Sequence, residues 1–169
     1  MQKLIAVFFI GAVFFSCHRE YKKYDMASDI FSILPNNWEK NKKYSSPQRI
    51  IFFNKDTYNS GYSENIAVTK IDSGQPVNQE MREYLRDLYA NNPLFKIVDT
   101  ALVKNESYEE AIADFIIKRK GVNLGSTVFF IKFKNGSDFI ISHTGRNEPE
   151  ESYVSQRQAF IKILNDNIN

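Results

Sequence analysis

The chain has 169 residues, of which 43% are hydrophobic and 14% aromatic, and its formal net charge at pH 7 is +2. This composition predicts a packed globular domain and argues against a disordered chain. The near-neutral charge supplies no long-range field for a polyanion, so we expect no nucleic-acid partner. Cys17 is the only cysteine, which excludes an internal disulfide.

The N-terminal segment has the organisation of a secretory signal. Lys3 precedes an unbroken apolar run at 4–15, shorter than the about 20 residues that a membrane-spanning helix needs. A short apolar run that ends at a small residue, Ser16, is typical of a cleaved signal peptide rather than a membrane anchor. We therefore expect residues 1–16 to be removed during export.

Residues 14–17, Phe-Phe-Ser-Cys, resemble the lipobox of bacterial lipoproteins, in which the cysteine is acylated and becomes the mature N-terminus. The alternative is an ordinary signal peptide cut nearby, which leaves Cys17 as a thiol open to mismatched pairing. The resemblance implies a lipoprotein of the bacterial cell envelope, anchored to a membrane by a lipid on Cys17. Because no acidic run follows Cys17, we expect the protein to face the periplasm.

A tether and one domain are predicted after the lipid anchor. Residues 17–29 mix basic and acidic side chains without an apolar period, which predicts a flexible linker reaching on the order of 20 Å. The rest of the chain has a length that one hydrophobic core supports. We therefore predict a single folded domain over 30–169.

The first half of this domain is predicted to contain three strands and a helix. The helix follows residues 72–76, since apolar side chains recur at three-to-four spacing until Pro93 ends the pattern. Its stripe contains Met81, Tyr84, Leu85, Leu88 and Tyr89. The strands are predicted at 31–35, 49–53 and 65–71, with a Tyr- and Asn-rich loop at 54–63.

The second half is predicted to be an antiparallel meander. A loop at 121–125 pairs Phe115 with Ile131, and a three-residue turn at 134–136 pairs Ile131 with Phe139. Both pairs belong to one apolar face. The four predicted strands are 96–104, 110–120, 126–134 and 138–144.

The opposite face of the meander carries charges as well as apolar residues. In these registers Lys132 lies between Asp114 and Asp138, which predicts a structural row whose pairs contribute about 0.2–1 kcal/mol each. The apolar residues of this face also need cover, so we expect helices on both sides of the sheet. One is a closing helix that starts near 147–149, with a stripe of Tyr153, Phe160, Ile163 and Leu164.

The order of these elements is similar to the PsbP/Mog1-like superfamily. The similarity rests on Phe-Ser-Ile-Leu-Pro at 31–35, Trp38 just after it, Glu-Asn-Ile-Ala-Val at 64–68, a helix, a meander and a closing helix. It implies an α+β fold: an α/β/α sandwich with a central, mainly antiparallel sheet of about six strands flanked by helices. Members of the superfamily share non-enzymatic protein binding.

No catalytic or metal-binding pattern stands out in the sequence. There are two histidines, His18 in the tether and His143 in the last strand, and they cannot together build a metal site. We expect His143 to point to the apolar face as a hydrogen-bonded core residue. Ser142 points the other way, which argues against a Ser/His pair. We therefore expect no enzyme, no metal and no cofactor.

Two functional hypotheses remain. The first is a non-catalytic protein-interaction or assembly module that binds another envelope protein, with Trp38, Tyr58 and Tyr62 as candidate exposed aromatics. The alternative is a binder or carrier of a small apolar ligand held between sheet and helix. Its cavity would be lined by residues such as Phe129, Ile131, Phe160 and Leu164.

Overall fold

The computed structural model describes residues 26–60, 63–92, 94–119, 121–146 and 159–166. The predicted signal peptide, Cys17, Tyr62 and the predicted start of the closing helix lie outside these ranges. Two helices, α1 and α2, cover Met26–Ile33 and Val77–Asn91, and residues 159–166 are also helical. The strands are β1 Trp38–Lys40, β2 Arg49–Asn54, β3 Asn65–Ile71, β4 Lys96–Lys104, β5 Tyr108–Arg119, β6 Val122–Phe133 and β7 Asp138–Arg146.

All seven strands form one antiparallel sheet in the order β1-β2-β3-β7-β6-β5-β4. The predicted α+β class and the central antiparallel sheet are confirmed. The seven strands agree with the predicted sheet of about six, and the short strand β1 forms one edge beside β2. The other edge of the sheet is β4.

Helices cover both faces of the sheet, as predicted. On one face α1 and the helical segment 159–166 pack on a core that includes Phe52, Phe129 and Phe160. On the other face α2 packs on a smaller core around Phe115 and Phe130. Side chains of successive strand residues alternate between these two cores, because strand side chains point to opposite faces in turn.

The strand predicted at 31–35 is wrong, because residues up to Ile33 belong to the helix α1. Ile30 and Leu34 are four residues apart, and both are buried against the sheet. This spacing suits one side of a helix, whereas a strand would send neighbouring apolar residues to opposite faces. The helix begins at Met26, within the stretch that was predicted to be a tether.

Most of the remaining elements agree with the sequence patterns. β3 and β4 have the predicted bounds, and α2 follows residues 72–76 as expected. Of the predicted α2 stripe, Met81 and Leu85 are buried, whereas Tyr89 is 65% exposed. The predicted loop at 54–63 contains a 3-10 helix, Lys55–Ser60.

The pairing of β6 with β7 is confirmed, and the pairing of β5 with β6 is wrong. Ile131 lies opposite Phe139 as predicted, but Phe115 lies opposite Ser126 instead of Ile131. Arg119 pairs with Val122, so a two-residue connection replaces the predicted five-residue loop. The observed register therefore differs from the predicted one by an odd number of residues. As a result, Phe115 and Ile131 lie on opposite faces of the sheet.

The prediction of a charged row is correct for one of its two pairs. Lys132 Nζ lies 3.3 Å from Asp138 Oδ2, which confirms that pair. Asp114 lies on the opposite face from Lys132, and its carboxylate accepts a hydrogen bond from Thr127 Oγ1 at 2.6 Å. The residue across from Lys132 on β5 is Glu109.

Candidate interaction surface

The strand β4 is an open edge of the sheet. It pairs with β5 on one side, and no other strand among the described residues pairs with its second side. Every residue of β4 except Val103 is exposed. A nine-residue strand exposed on both faces is unusual for a native edge, because unpaired backbone groups can recruit another chain.

Exposed apolar side chains concentrate on and beside this strand. On β4 these are Ile97, Val98 and Leu102, which is 62% exposed. Tyr89 and Leu94, just before the strand, are 65% and 64% exposed. In the described part of the chain, Tyr44 alone among exposed large hydrophobic residues lies elsewhere. We call Tyr89, Leu94, Ile97, Val98 and Leu102 the edge patch, and such a concentration is typical of an interaction site.

The backbone of β4 shows which groups face outward. Asn105 donates its N–H to the carbonyl of Tyr108 across the β4–β5 turn, at 3.1 Å. Because hydrogen-bonded and non-hydrogen-bonded pairs alternate along an antiparallel ladder, the backbone groups of Thr100, Leu102 and Lys104 point away from β5. The Thr100 N–H agrees with this assignment, since it donates to Asp99 Oδ1 at 2.8 Å.

Three features restrict pairing at part of this edge. The register shifts between Ile97 and Asp99, and such bulges interrupt a regular ladder. The outward N–H of Thr100 already donates a hydrogen bond to the Asp99 carboxylate. Lys104 carries a charge at the end of the strand and forms an ion pair with Glu109. The outward backbone groups of Leu102 and Lys104 therefore remain the accessible part of the edge.

A shallow depression lies beside the accessible part of β4. Its volume is about 230 Å³, and its walls include Val77 from α2, Leu102 from β4 and Glu110 from β5. A strand added at this edge would place alternate side chains on the α2 side of the sheet, where this depression lies. The edge therefore combines backbone hydrogen-bonding groups with a recess that suits one side chain.

Of the three aromatic residues predicted to form an exposed surface, the structure describes the side chain of Trp38 alone. Trp38 is 4% exposed and belongs to the core beneath α1, so the prediction that it is exposed is wrong. Its burial follows from its position, because it is the first residue of β1 directly after the helix that covers this face. Tyr58 is in the 3-10 helix, but its side chain lies outside the description, as does Tyr62.

His143 is a hydrogen-bonded core residue, as predicted. Its Nε2 lies 2.9 Å from Glu64 Oε1, and Asn54 donates to the second Glu64 oxygen at 2.7 Å. The hydrogen bond from His143 lowers the pKa of Glu64, and the bond from Asn54 adds to this, although burial opposes it. Glu64 directly precedes β3 and His143 is on β7, so the pair links two neighbouring strands, and Ser142 lies on the other face of the sheet.

The proposed apolar-ligand site has no support at its predicted location. Phe129, Ile131, Phe160 and Leu164 belong to one packed core, and each is at most 3% exposed. Within the described ranges, no three His, Cys, Asp or Glu side chains are grouped so that they could hold a metal ion. No helix in those ranges is long and apolar enough to cross a membrane.

Comparison with known proteins finds similarity at the level of solved structures. No protein-family model and no curated protein matches the chain. The chain is similar to LpqN of Mycobacterium tuberculosis, described as involved in cell envelope biogenesis, with 12% identity, a TM-score of 0.45 and coverage of 78% of this chain and 75% of LpqN.

Two further solved structures are similar to the chain to a comparable degree. Cyanobacterial PsbP from Synechocystis has 11% identity and a TM-score of 0.45, with coverage of 78% of this chain and 81% of that protein. The Ran-binding protein Mog1p of Saccharomyces cerevisiae has 13% identity and a TM-score of 0.46, with coverage of 80% of this chain and 82% of that protein.

The edge patch of this chain was not predicted from its sequence, although the apolar residues of β4 were available as a signal.

Proposed function

We propose that this protein is a lipid-anchored component of the bacterial cell envelope that acts as a non-catalytic protein-interaction module. The observation that carries the proposal is the open edge at β4, where outward backbone groups adjoin exposed Leu102. The partner is an extended segment of another envelope protein, which adds to the sheet as an eighth strand. Main-chain hydrogen bonds supply affinity in this mode of recognition, and alternate side chains supply specificity.

Strand addition fits the edge better than docking of a helix. A helix satisfies its own backbone hydrogen bonds, so it would leave the outward groups of Leu102 and Lys104 unused. An extended segment satisfies those groups and can insert one side chain into the depression beside Val77.

The predicted anchor supports the same role. A lipid on Cys17 and a tether of on the order of 20 Å would hold the domain close to a membrane while leaving it free to reorient. Confinement at a surface raises the local concentration of a partner anchored in the same membrane. A moderate-affinity edge contact is then sufficient for assembly.

Leu102→Pro tests the docking strand without removing a hydrogen bond to β5. Proline lacks the outward N–H of residue 102, and edge strands tolerate proline where the N–H faces away from the ladder. We expect an envelope protein that co-purifies with the lipid-free domain to bind at least about fivefold more weakly, since one hydrogen bond contributes about 1 kcal/mol. Leu102→Val is the matched control, because it retains the N–H and a branched apolar side chain.

Amide hydrogen exchange provides the second measurement. Addition of the purified partner should slow exchange at Leu102 and Lys104 more than at β1, the opposite edge of the sheet. Equal binding by the proline and valine variants, with no protection at β4, would refute the proposed docking strand. Concentration-dependent dimers without a partner would identify a second copy of the chain as the occupant instead.

A further inference from the structure

Basic side chains concentrate at the β1 edge of the sheet, opposite β4. Residues 36–55 contain five basic residues and one acidic residue, a net charge of +4, although the formal net charge of the whole chain is only +2. Four of these basic residues and one tyrosine border an open depression of about 620 Å³ beside β1, and all five side chains are exposed. We call this set the basic surface: Lys40, Lys42, Lys43, Tyr44 and Lys55.

The lysines of the basic surface are available to an external anion. In the described part of the chain, every ion pair involves other residues. The acidic neighbours are Glu39, which also lines the depression, and Asp56, whose carboxylate accepts a hydrogen bond from Asn37 Nδ2 at 2.9 Å. Four positive charges therefore face two negative ones, which leaves a local positive potential directed outward.

The loop that follows β1 is held to β2 by hydrogen bonds. Asn41 donates its N–H to the Ile51 carbonyl at 2.7 Å, and the Ile51 N–H donates to Ser45 Oγ at 3.0 Å. The Tyr44 N–H donates to Asn41 Oδ1 at 3.3 Å, and Lys43 Nζ lies 5.2 Å from the centroid of the Tyr44 ring. The fold therefore presents basic and aromatic groups together on an ordered loop.

The chain enters the folded domain on this same side. The helix α1 starts at Met26, nine residues after Cys17, and an extended segment of that length reaches at most about 30 Å. Ile30 and Leu34, at the two ends of one helical turn, belong to the same core as Trp38, the first residue of β1. A lipid on Cys17 would therefore hold the β1 side of the domain within reach of the bilayer.

We propose that the basic surface docks on the anionic headgroups of the membrane to which Cys17 attaches the chain. Each lysine near an anionic bilayer increases partitioning by about fivefold. Tyr44, which is 61% exposed, enters the headgroup layer, where tyrosine is favoured. Four lysines bind only weakly without the lipid, so the lipid retains the protein and the basic surface orients it.

Docking at β1 would direct the open edge away from the membrane. β1 and β4 are the two opposite edges of the seven-stranded sheet, and strands about 4.8 Å apart place them on the order of 30 Å from each other. The β4 edge would then be accessible to an extended segment of a partner. This orienting effect rests on the lipid anchor of the proposed function, whereas the attraction to anionic lipid does not.

A membrane fits the basic surface better than an acidic protein does. Protein interfaces depend on apolar or aromatic anchors seated in closely fitting pockets. The depression beside β1 is open, and Tyr44 is its one exposed large hydrophobic residue. Lysines spread around an open surface suit a layer of mobile anionic headgroups, which needs no fixed shape.

Co-sedimentation of the Cys17→Ala protein with vesicles tests the basic surface without the lipid. Phosphatidylcholine vesicles that contain about 30% phosphatidylglycerol should bind the protein at least about tenfold better than pure phosphatidylcholine vesicles. An increase in ionic strength from about 0.05 M to about 0.5 M should remove this binding, because the Debye length falls to about 4 Å.

Charge reversal locates the binding. Lys42→Glu/Lys43→Glu should weaken binding to the anionic vesicles by at least about tenfold, since two attractive charges become repulsive. The matched control is Lys96→Glu/Lys118→Glu, which changes the net charge equally at exposed positions of β4 and β5. This control should bind nearly as well as the unaltered protein.

The orientation is measured on the lipid-anchored protein in nanodiscs that contain a lipid with a paramagnetic headgroup. The amide signals of Lys42 and Tyr44 should lose intensity, whereas the signal of Leu102 on β4 should be retained. Equal loss at all three positions would refute the proposed orientation.

Specific outcomes would overturn the basic surface as a membrane-docking site. These are equal binding to neutral and anionic vesicles, equal losses in the two double variants, or saturable binding of inorganic phosphate without vesicle binding. If Lys42→Glu/Lys43→Glu does not fold, Lys55→Glu and the salt dependence of the Cys17→Ala protein decide. Vesicle binding by a protein that carries no lipid in cells would refute the anchor alone, and a lipidated protein without a preference for anionic vesicles would refute the basic surface alone.

Discussion

At the scale of single residues, Asp99 is the side chain that controls the β4 edge. Its carboxylate accepts the N–H of Thr100 at 2.8 Å, and that N–H would otherwise be available to an added strand. Charged side chains of this kind limit unwanted pairing at native sheet edges. Asp99 therefore sets how many backbone groups the edge offers.

Asp99→Ala should strengthen strand addition at β4. The freed Thr100 N–H can bond to an incoming strand, and one hydrogen bond of about 0.5–1.5 kcal/mol corresponds to about two- to tenfold in affinity. Partner binding or self-association, measured by sedimentation velocity, should rise accordingly. Asp99→Asn removes the charge but keeps an acceptor for Thr100, so it separates the two effects. No change in Asp99→Ala would count against this role.

Glu80 should make stability fall as the pH rises towards neutrality. Its folded pKa is about 7 against an ordinary value of 4.5, so the folded state favours the protonated form. The resulting stabilisation is fully present below the unfolded pKa and is lost as the pH rises through 7. Because Glu80 is only partly buried, solvent screening reduces the size of this effect.

Urea denaturation between about pH 5 and pH 8 tests the Glu80 effect. Glu80→Gln should flatten the decrease in the free energy of unfolding, since glutamine does not ionise. Asp87→Asn, at an exposed position on the same helix, should retain the slope of the unaltered protein. Identical slopes in all three proteins would show that Glu80 is not the responsible group.

At the scale of secondary-structure elements, the β5–β6 connection determines which side chains meet α2. Gly121 has a φ of +82°, and the two-residue connection places Phe115 on the same face as Phe130. The predicted five-residue loop, whose register differs by an odd number of residues, would have placed Phe115 on the side of the other core. The left-handed backbone conformation at Gly121 therefore helps to set the register between β5 and β6.

Gly121→Ala should destabilise the domain by about 1–2 kcal/mol, because alanine disfavours positive φ. Nothing lies within 4 Å of the position that a Cβ would occupy, so the cost is conformational rather than steric. Asn123→Ala, at an exposed position of the same hairpin, should be nearly neutral. Chemical denaturation compares the two variants, and equal stabilities would argue against a requirement for glycine.

At the scale of the whole molecule, the proposed lipid and the open edge act together. The structure has an open edge at β4, which we propose as the interaction surface, and the sequence predicts attachment to a membrane through Cys17. An edge that recruits strands is hazardous at high concentration in solution. Confinement on a membrane would restrict the orientations and partners available to that edge.

Cys17→Ala should move the protein from the membrane fraction to the soluble periplasmic fraction. Lipid attachment requires the thiol, and the rest of the domain is expected to be water-soluble once exported. Intact-mass measurement of the unaltered protein should show a thioether-linked diacylglycerol on Cys17. Identical partitioning of both proteins would contradict the anchor and would leave the β4 edge to be tested separately.

Much of the fold could be predicted because local patterns carry it. The spacing of Met81, Leu85 and Leu88 suffices for α2, and the short glycine-containing turn at 134–136 suffices for the β6–β7 register. The strand predicted at 31–35 failed because five residues with a proline do not distinguish a strand from a helix end. Packing of Ile30 and Leu34 on the sheet decided in favour of the helix.

The sequence by itself determined the α+β class, most element bounds and the prediction of an exported, lipid-anchored chain. Only the tertiary structure decided that Trp38 is buried, that β4 is an open edge and that Glu80 lies near Asp138. Periodicity reports which residues share one side of an element, because that depends on neighbours in the chain. Strand order and contacts between distant elements depend on turn lengths and on packing, where one residue of register exchanges the two faces of a strand.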